Sequence, residues 1–146
     1  FWGYIYSFSS SNVYTKVVYF VSLFILGFAL GECVYAHEQT PAYPKIAPSH
    51  VNGVVKVQLQ LLNRRKEINY YEIGLFDKNF DELNFTTQNK IIKIGYGEKT
   101  DFDVYFRKSD LDRAVYICTA SKILKSNKSR AVVSSIVCSK LGGEPL

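Results

Sequence analysis

The chain is poor in the residues that most often carry chemistry. His37 and His50 are its only histidines, both in a proline-containing stretch ahead of the first clear strand, and no serine or cysteine sits in a nucleophile motif. A hydrolytic triad therefore has nothing to stand on, and no catalytic residue is expected. Two histidines also make no metal cluster, and a His37 at a new amino terminus is more simply a solvated end than a metal ligand. Glycine is sparse where phosphate would need it: "GYG" (95 to 97) is too short for a phosphate loop and is followed by Glu98, so it reads as a turn. "DKNFDELNFTTQ" (77 to 88) begins like a calcium loop, but Glu82 stands where glycine should be and Gln88 where glutamate should be. It too reads as a polar turn. The 18 basic and 13 acidic residues give a net charge of +5. They form no dense stripe, which speaks against nucleic acid as a partner. No repeat or low-complexity tract is present, and no cofactor or metal is expected.

What the chain does have is apolar, and unevenly placed. "VVYFVSLFILGFALG" (17 to 31) runs without a charge between Lys16 and Glu32. This is the layout of a secretory signal peptide, with a cut expected between Ala36 and His37. The alternative is an uncleaved anchor using 17 to 36 as a span. Either way 1 to 36 is leader and 37 to 146 is one domain, in which 17 basic and 12 acidic residues remain. Cys33 belongs to the leader, so Cys118 and Cys138 are left to pair. An even count in an exported chain reads as a disulfide, and in a cytosolic one as two buried thiols.

The domain alternates with a period of two. In "VVKVQLQLL" (54 to 62) Val55, Val57, Leu59 and Leu61 share one face and Lys56, Gln58 and Gln60 the other. The same rule places Tyr71, Ile73 and Leu75 together, then Ile92, Ile94 and Tyr96, then Phe102, Val104 and Phe106. "RAVYICTASKI" and "RAVVSSIVCSKL" flank the turn-like "KSNKS", and a short edge strand near "YPKIAPSHV" makes seven. Seven short alternating strands predict an all-β, antiparallel two-sheet sandwich. If the last two strands form a hairpin centred near Lys128, Ile123 faces Val133, Ala120 faces Ile136, and Cys118 meets Cys138. With Tyr116, Cys118 and Ala120 turned inward, Ile117, Val133 and Val137 fall on the outer face as a candidate contact patch, next to Lys140. Asn84-Phe-Thr86 and Asn127-Lys-Ser129 fit the N-glycosylation pattern.

"DRAVYIC" (112 to 118) resembles the D-x-A-x-Y-x-C motif of immunoglobulin variable domains, which implies a tyrosine corner built by Tyr116 with Asp112. The second strand has no cysteine and the third no tryptophan, so the inter-sheet disulfide of those domains is absent. "VQLQLLNRRKEINYYEIGLFDKNFDELNF" followed by "IIKIGYGEKTDFDVYF" resembles the amino-terminal domain of bacterial periplasmic pilus-assembly chaperones, in which a second strand ending in Asn leads into the third. That resemblance implies an immunoglobulin-like seven-stranded sandwich whose last strand is lent to another envelope or pilus-like protein by β-strand addition. Lys45 and Lys140 stand near the places of that family's carboxylate anchor. The expectation is a non-catalytic, exported protein-binding or assembly module, periplasmic or secreted. The alternatives are a membrane-anchored structural subunit of a secretion or conjugation apparatus, held at the inner membrane by the leader, and a small exported enzyme or inhibitor.

Overall fold

In the computed structural model the described residues are 17–18, 21–22, 35–123 and 133–142. The chain divides into two units, Phe1–Val34 and Tyr35–Leu146. Of the first, only Val17, Val18, Val21 and Ser22 are described, and they are helical. The leader expected over 1 to 36 therefore lies outside the described residues, save these four and Tyr35 and Ala36; so does the turn "KSNKS" with its Asn127 triplet. Among the described residues no helix is long and apolar enough to cross a membrane.

The second unit is all β among its described residues, apart from a 3-10 turn at Lys108–Asp110. Its strands are β1 (Glu38–Thr40), β2 (Ile46–Pro48), β3 (Val54–Leu62), β4 (Tyr70–Phe76), β5 (Ile91–Lys93), β6 (Lys99–Arg107), β7 (Tyr116–Lys122) and β8 (Ile136–Lys140). They form two four-stranded antiparallel sheets. In the first, β3 pairs with β6 along its whole length, from Val54 opposite Arg107 to Leu62 opposite Lys99. The other side of β3 is shared by β1 near Leu61 and β2 near Lys56. The second sheet has the order β5-β4-β7-β8.

Alternation explains the packing. Val55, Val57, Leu59 and Leu61 of β3 and Phe102, Val104 and Phe106 of β6 are buried against Tyr71, Ile73 and Leu75 of β4 and Ile117 of β7, so one apolar core joins the two sheets. On the outward face of the first sheet Lys56 pairs with Asp103 at 2.9 Å and Gln60 donates to Asp101 at 2.9 Å, as a solvated face should. The expected β5 is shorter than its pattern: Ile92 and Ile94 pack on or in the core, but the strand ends at Lys93 and Tyr96 is exposed.

Both rejected ligand loops are turns held by their own side chains. Asp77 Oδ1 accepts the N–H groups of Asn79 at 2.7 Å and Asp81 at 3.0 Å, and Glu98 Oε2 accepts the N–H of Gly95 at 2.7 Å. Beyond the first turn, residues 82 to 86 carry the chain from one sheet to the other. Leu83 N–H donates to Leu75 O at 2.8 Å, and Thr86 exchanges two backbone bonds with Tyr105 of β6.

Candidate functional site

The hairpin register is the expected one: Cys118 lies opposite Cys138 and Ala120 opposite Ile136, and the two cysteines form a disulfide. The facing of the strands is the reverse of the expectation. Ile117, Thr119 and Ser121 turn inward and are buried, whereas Tyr116 and Ala120 lie on the outward face with the disulfide. Ile117 is fully buried and drops out of the candidate contact patch. Pairing register and sheet facing are separate choices. Here Thr119 and Ser121 can be buried because partners await them, while Cys118 and Ala120 fill a shallow outer surface. On that surface Gly74 lies opposite Cys118, and the Phe76 ring closes over it; a Cβ at position 74 would fall 2.5 Å from Phe76 Cε2.

The partners of the buried polar residues form a seam between β1 and β8. Gln39 Nε2 donates to Ile117 O and to Ser139 Oγ, both at 2.8 Å, and Gln39 Oε1 accepts from Thr119 Oγ1 at 2.7 Å. Ser139 Oγ in turn donates to Pro41 O at 2.8 Å. Arg65, itself buried, donates through Nη1 to Val133 O at 2.6 Å and Ser135 Oγ at 3.3 Å, fixing the chain that leads into β8. Asn63, at the end of β3, is fully enclosed. Its Oδ1 accepts from Tyr71 OH at 2.6 Å and Arg65 N–H at 2.8 Å, and its Nδ2 donates to Ile68 O at 2.7 Å and Ile94 O at 3.0 Å. Burial pushes the Tyr71 phenol up to about 12, so it stays a donor to Asn63.

His37, expected as a solvated terminus, is 2 % exposed, while its neighbour Ala36 is exposed. Its ring lies 4.6 Å from that of Tyr71, with Nδ1 3.1 Å from Ser135 Oγ and Nε2 3.0 Å from Thr119 O. Thr119 O can only accept, so Nε2–H donates to it, and in the neutral ring Nδ1 is then the acceptor of the Ser135 hydroxyl. The network accommodates a neutral imidazole. Burial lowers the His37 pKa most, the bond to Thr119 opposes this, and the Arg65 charge lowers it further. A depressed histidine pKa means that folded and unfolded chains are equally neutral at this group above about pH 6.5; below it the unfolded chain gains the proton first. Stability should therefore fall as pH drops below about 6.5, and level off only under the folded value. Thermal scans at pH 7.5 and pH 5 should show a larger loss for the wild type than for His37→Gln, and equal losses would refute the account.

The exposed part of this region is the free edge of β8. Cys118 and Cys138 have Cα atoms 4.0 Å apart, the spacing of a pair that does not exchange backbone bonds. The flanking bonds fit this: Ser121 N–H donates to Ser135 O, Leu141 N–H to Val115 O, and Lys140 N–H turns away from β7 to Ala42 O. Ile136 and Cys138 share the parity of Lys140, so their backbone groups also point away from β7. Among the described residues no other backbone group bonds to them. The side chains framing this edge are exposed, with Ile136 at 67 % and Val133 at 61 %, whereas Val137 is half-buried. Lys140 is exposed at the end of the strand, and Lys45 is exposed just before β2.

Tyr116 does not build the expected corner. Its ring stacks on Phe80, with centroids 4.9 Å apart and planes 3° from parallel, and no hydrogen bond of its hydroxyl or of Asp112 occurs among the described residues. Ile136, Gln39, Asn63 and Arg65 were not legible as site residues; the one available signal was the polar Asn-Arg-Arg at the end of an apolar strand. Among the described residues no group of histidine, cysteine and acidic side chains could hold a metal ion. No family model matches the chain, and no curated protein matches it.

Proposed function

We propose that the domain is a non-catalytic, exported, immunoglobulin-like module that binds another envelope protein by accepting or lending a strand at β8. The observation that carries the reading is the free edge at Ile136 and Cys138, flanked by exposed apolar side chains. Unpaired N–H and C=O groups on a strand give an extended partner main-chain bonds, and the exposed Ile136 side chain gives it an apolar contact. Arg65 supports the same reading, because it holds Val133 and Ser135 in place and so keeps the edge preformed.

The immunoglobulin-like character rests on strand order. β3 pairs with β6, β4 with β7, and β7 with β8, while the first strand is broken into β1 and β2 on the outer side of β3. These pairings match the A-B-E and C-F-G neighbours of such domains and support the reading, although among the described strands none pairs beyond β6 in the D position and β5 lies beside β4 instead. Export is supported by the disulfide, which persists in oxidising compartments.

The test uses Val133→Lys combined with Ile136→Lys. Both sites are exposed, so the melting temperature should stay within a few degrees of wild type. Partner proteins retained from an envelope extract should be lost, and the amides of Ile136 and Cys138, fast to exchange in the free domain, should slow when partner is added to the wild type. Unchanged retention by the double variant, or no slowing at these two amides, would remove β8 as the binding strand.

A further inference from the structure

Away from β8, a cleft of about 550 Å³ opens between the turn that joins β2 to β3, the end of β6, and the crossing segment at Phe85. Its walls grade from outside to inside. Val51 is 61 % exposed at the rim, Val54 and Phe85 are half-buried, and Phe106, at 3 % exposure, belongs to the core. The cleft thus leads from solvent to the inner apolar layer, in the size range of small-molecule sites.

Its charge is one-sided. His50 and Arg107 line it and no acidic residue does. Arg107 is exposed and makes no ion pair among the described residues, whose four pairs all lie elsewhere. The neighbouring hollow, which shares Asn84, Phe85 and Thr86, differs in this respect: its Lys90 is already bonded to Glu82 at 2.9 Å, so its charges are spent on each other. An apolar recess with an unpaired guanidinium at its mouth is matched by a molecule with an apolar body and a single anionic head.

We propose that this cleft binds a free amphipathic carboxylate, of the fatty-acid type, with its tail against Val54, Phe85 and Phe106 and its head at Arg107 and His50. The ligand is a free molecule and not a membrane surface, because the recess reaches inward as far as the core residue Phe106. This site is separate from the β8 edge, and its failure would leave the strand-addition reading untouched.

Dodecanoate titrated calorimetrically into the second unit, residues 35–146, or into the full chain, should bind with a single site per chain. Dodecanol, which keeps the tail and lacks the charge, should bind at least about tenfold more weakly, since a hydrogen bond to a charged group contributes about 1.5–3 kcal/mol. Arg107→Gln should remove that difference. Val51→Glu, at a position exposed enough to leave the fold intact, should weaken dodecanoate by placing a carboxylate at the rim. Equal binding of dodecanoate and dodecanol, dodecanoate binding to Arg107→Gln as tight as to wild type, or many ligands per chain would overturn the proposal. So would co-sedimentation with phosphatidylglycerol vesicles that Arg107→Gln abolishes, which would make the site a membrane contact.

Discussion

Asn63→Leu is expected to cost the domain on the order of 4 kcal/mol or more, a large share of the roughly 5–15 kcal/mol that holds a typical domain folded. The shape of leucine is close to that of asparagine, so the loss is not one of volume. It comes from four groups that the amide satisfies at once: the Tyr71 hydroxyl, the Arg65 N–H, and the carbonyls of Ile68 and Ile94. Asn63 has no exposed surface, so water does not take over these bonds without opening the structure. Each stranded buried group costs roughly 1–3 kcal/mol. The contrast that identifies the cause is Tyr71→Phe, which removes a single bond and leaves Asn63 Oδ1 with Arg65; it should cost about 1 kcal/mol. Urea denaturation midpoints measure both. Equal small losses would mean that the amide is not the organiser of this end of the sandwich.

Replacing both cysteines by alanine should lower stability by roughly 3 kcal/mol, the chain-entropy value for closing a loop of about twenty residues. For a domain of this size the fall in melting temperature is on the order of 10 °C. Cys118 is buried whereas Cys138 is exposed, so a reductant can reach the bond from the β8 side. Dithiothreitol should therefore bring the wild-type melting temperature down to that of the Cys118→Ala/Cys138→Ala protein and leave the variant unchanged. Survival of the wild-type value in full reduction would contradict the account. The hairpin should still form in the variant, because Ser121, Ser135, Val115 and Leu141 hold its register through backbone bonds.

Strands that bury apolar residues could be read from the sequence, and those that bury polar ones could not. Val55 to Leu61 and Phe102 to Phe106 alternate in sequence and in burial alike, because the hydrophobic effect is the only force that places them. β1 has no such signal: its three residues are Glu, Gln and Thr, and it is held by the amide of Gln39 and by its pairing with Gln60 to Leu62. For the same reason the facing of β7 is not legible in its sequence. Thr119 and Ser121 look solvent-facing until Gln39, His37 and the N–H of Ser135 are brought beside them by chain distant in sequence. The outer patch accordingly loses Ile117 and, with it, Val137, which lies opposite inward-facing Thr119 and is half-buried, whereas Val133 and Ile136 are exposed.

The seam between β1 and β8 also sets an order of events. His37 and Ser135 are 98 residues apart and Gln39 and Ser139 are 100 apart, whereas Cys118 and Cys138 are separated by 20. Contacts so distant close longer loops than the β7–β8 hairpin does, so the expected order is hairpin first and docking of the first strand later. Until it docks, Lys140 N–H has no Ala42 carbonyl to bind, and the open edge of β8 runs one ladder position further than in the finished domain. On the proposed strand-addition reading, a partner strand present before docking would compete with the protein's own first strand for the end of β8.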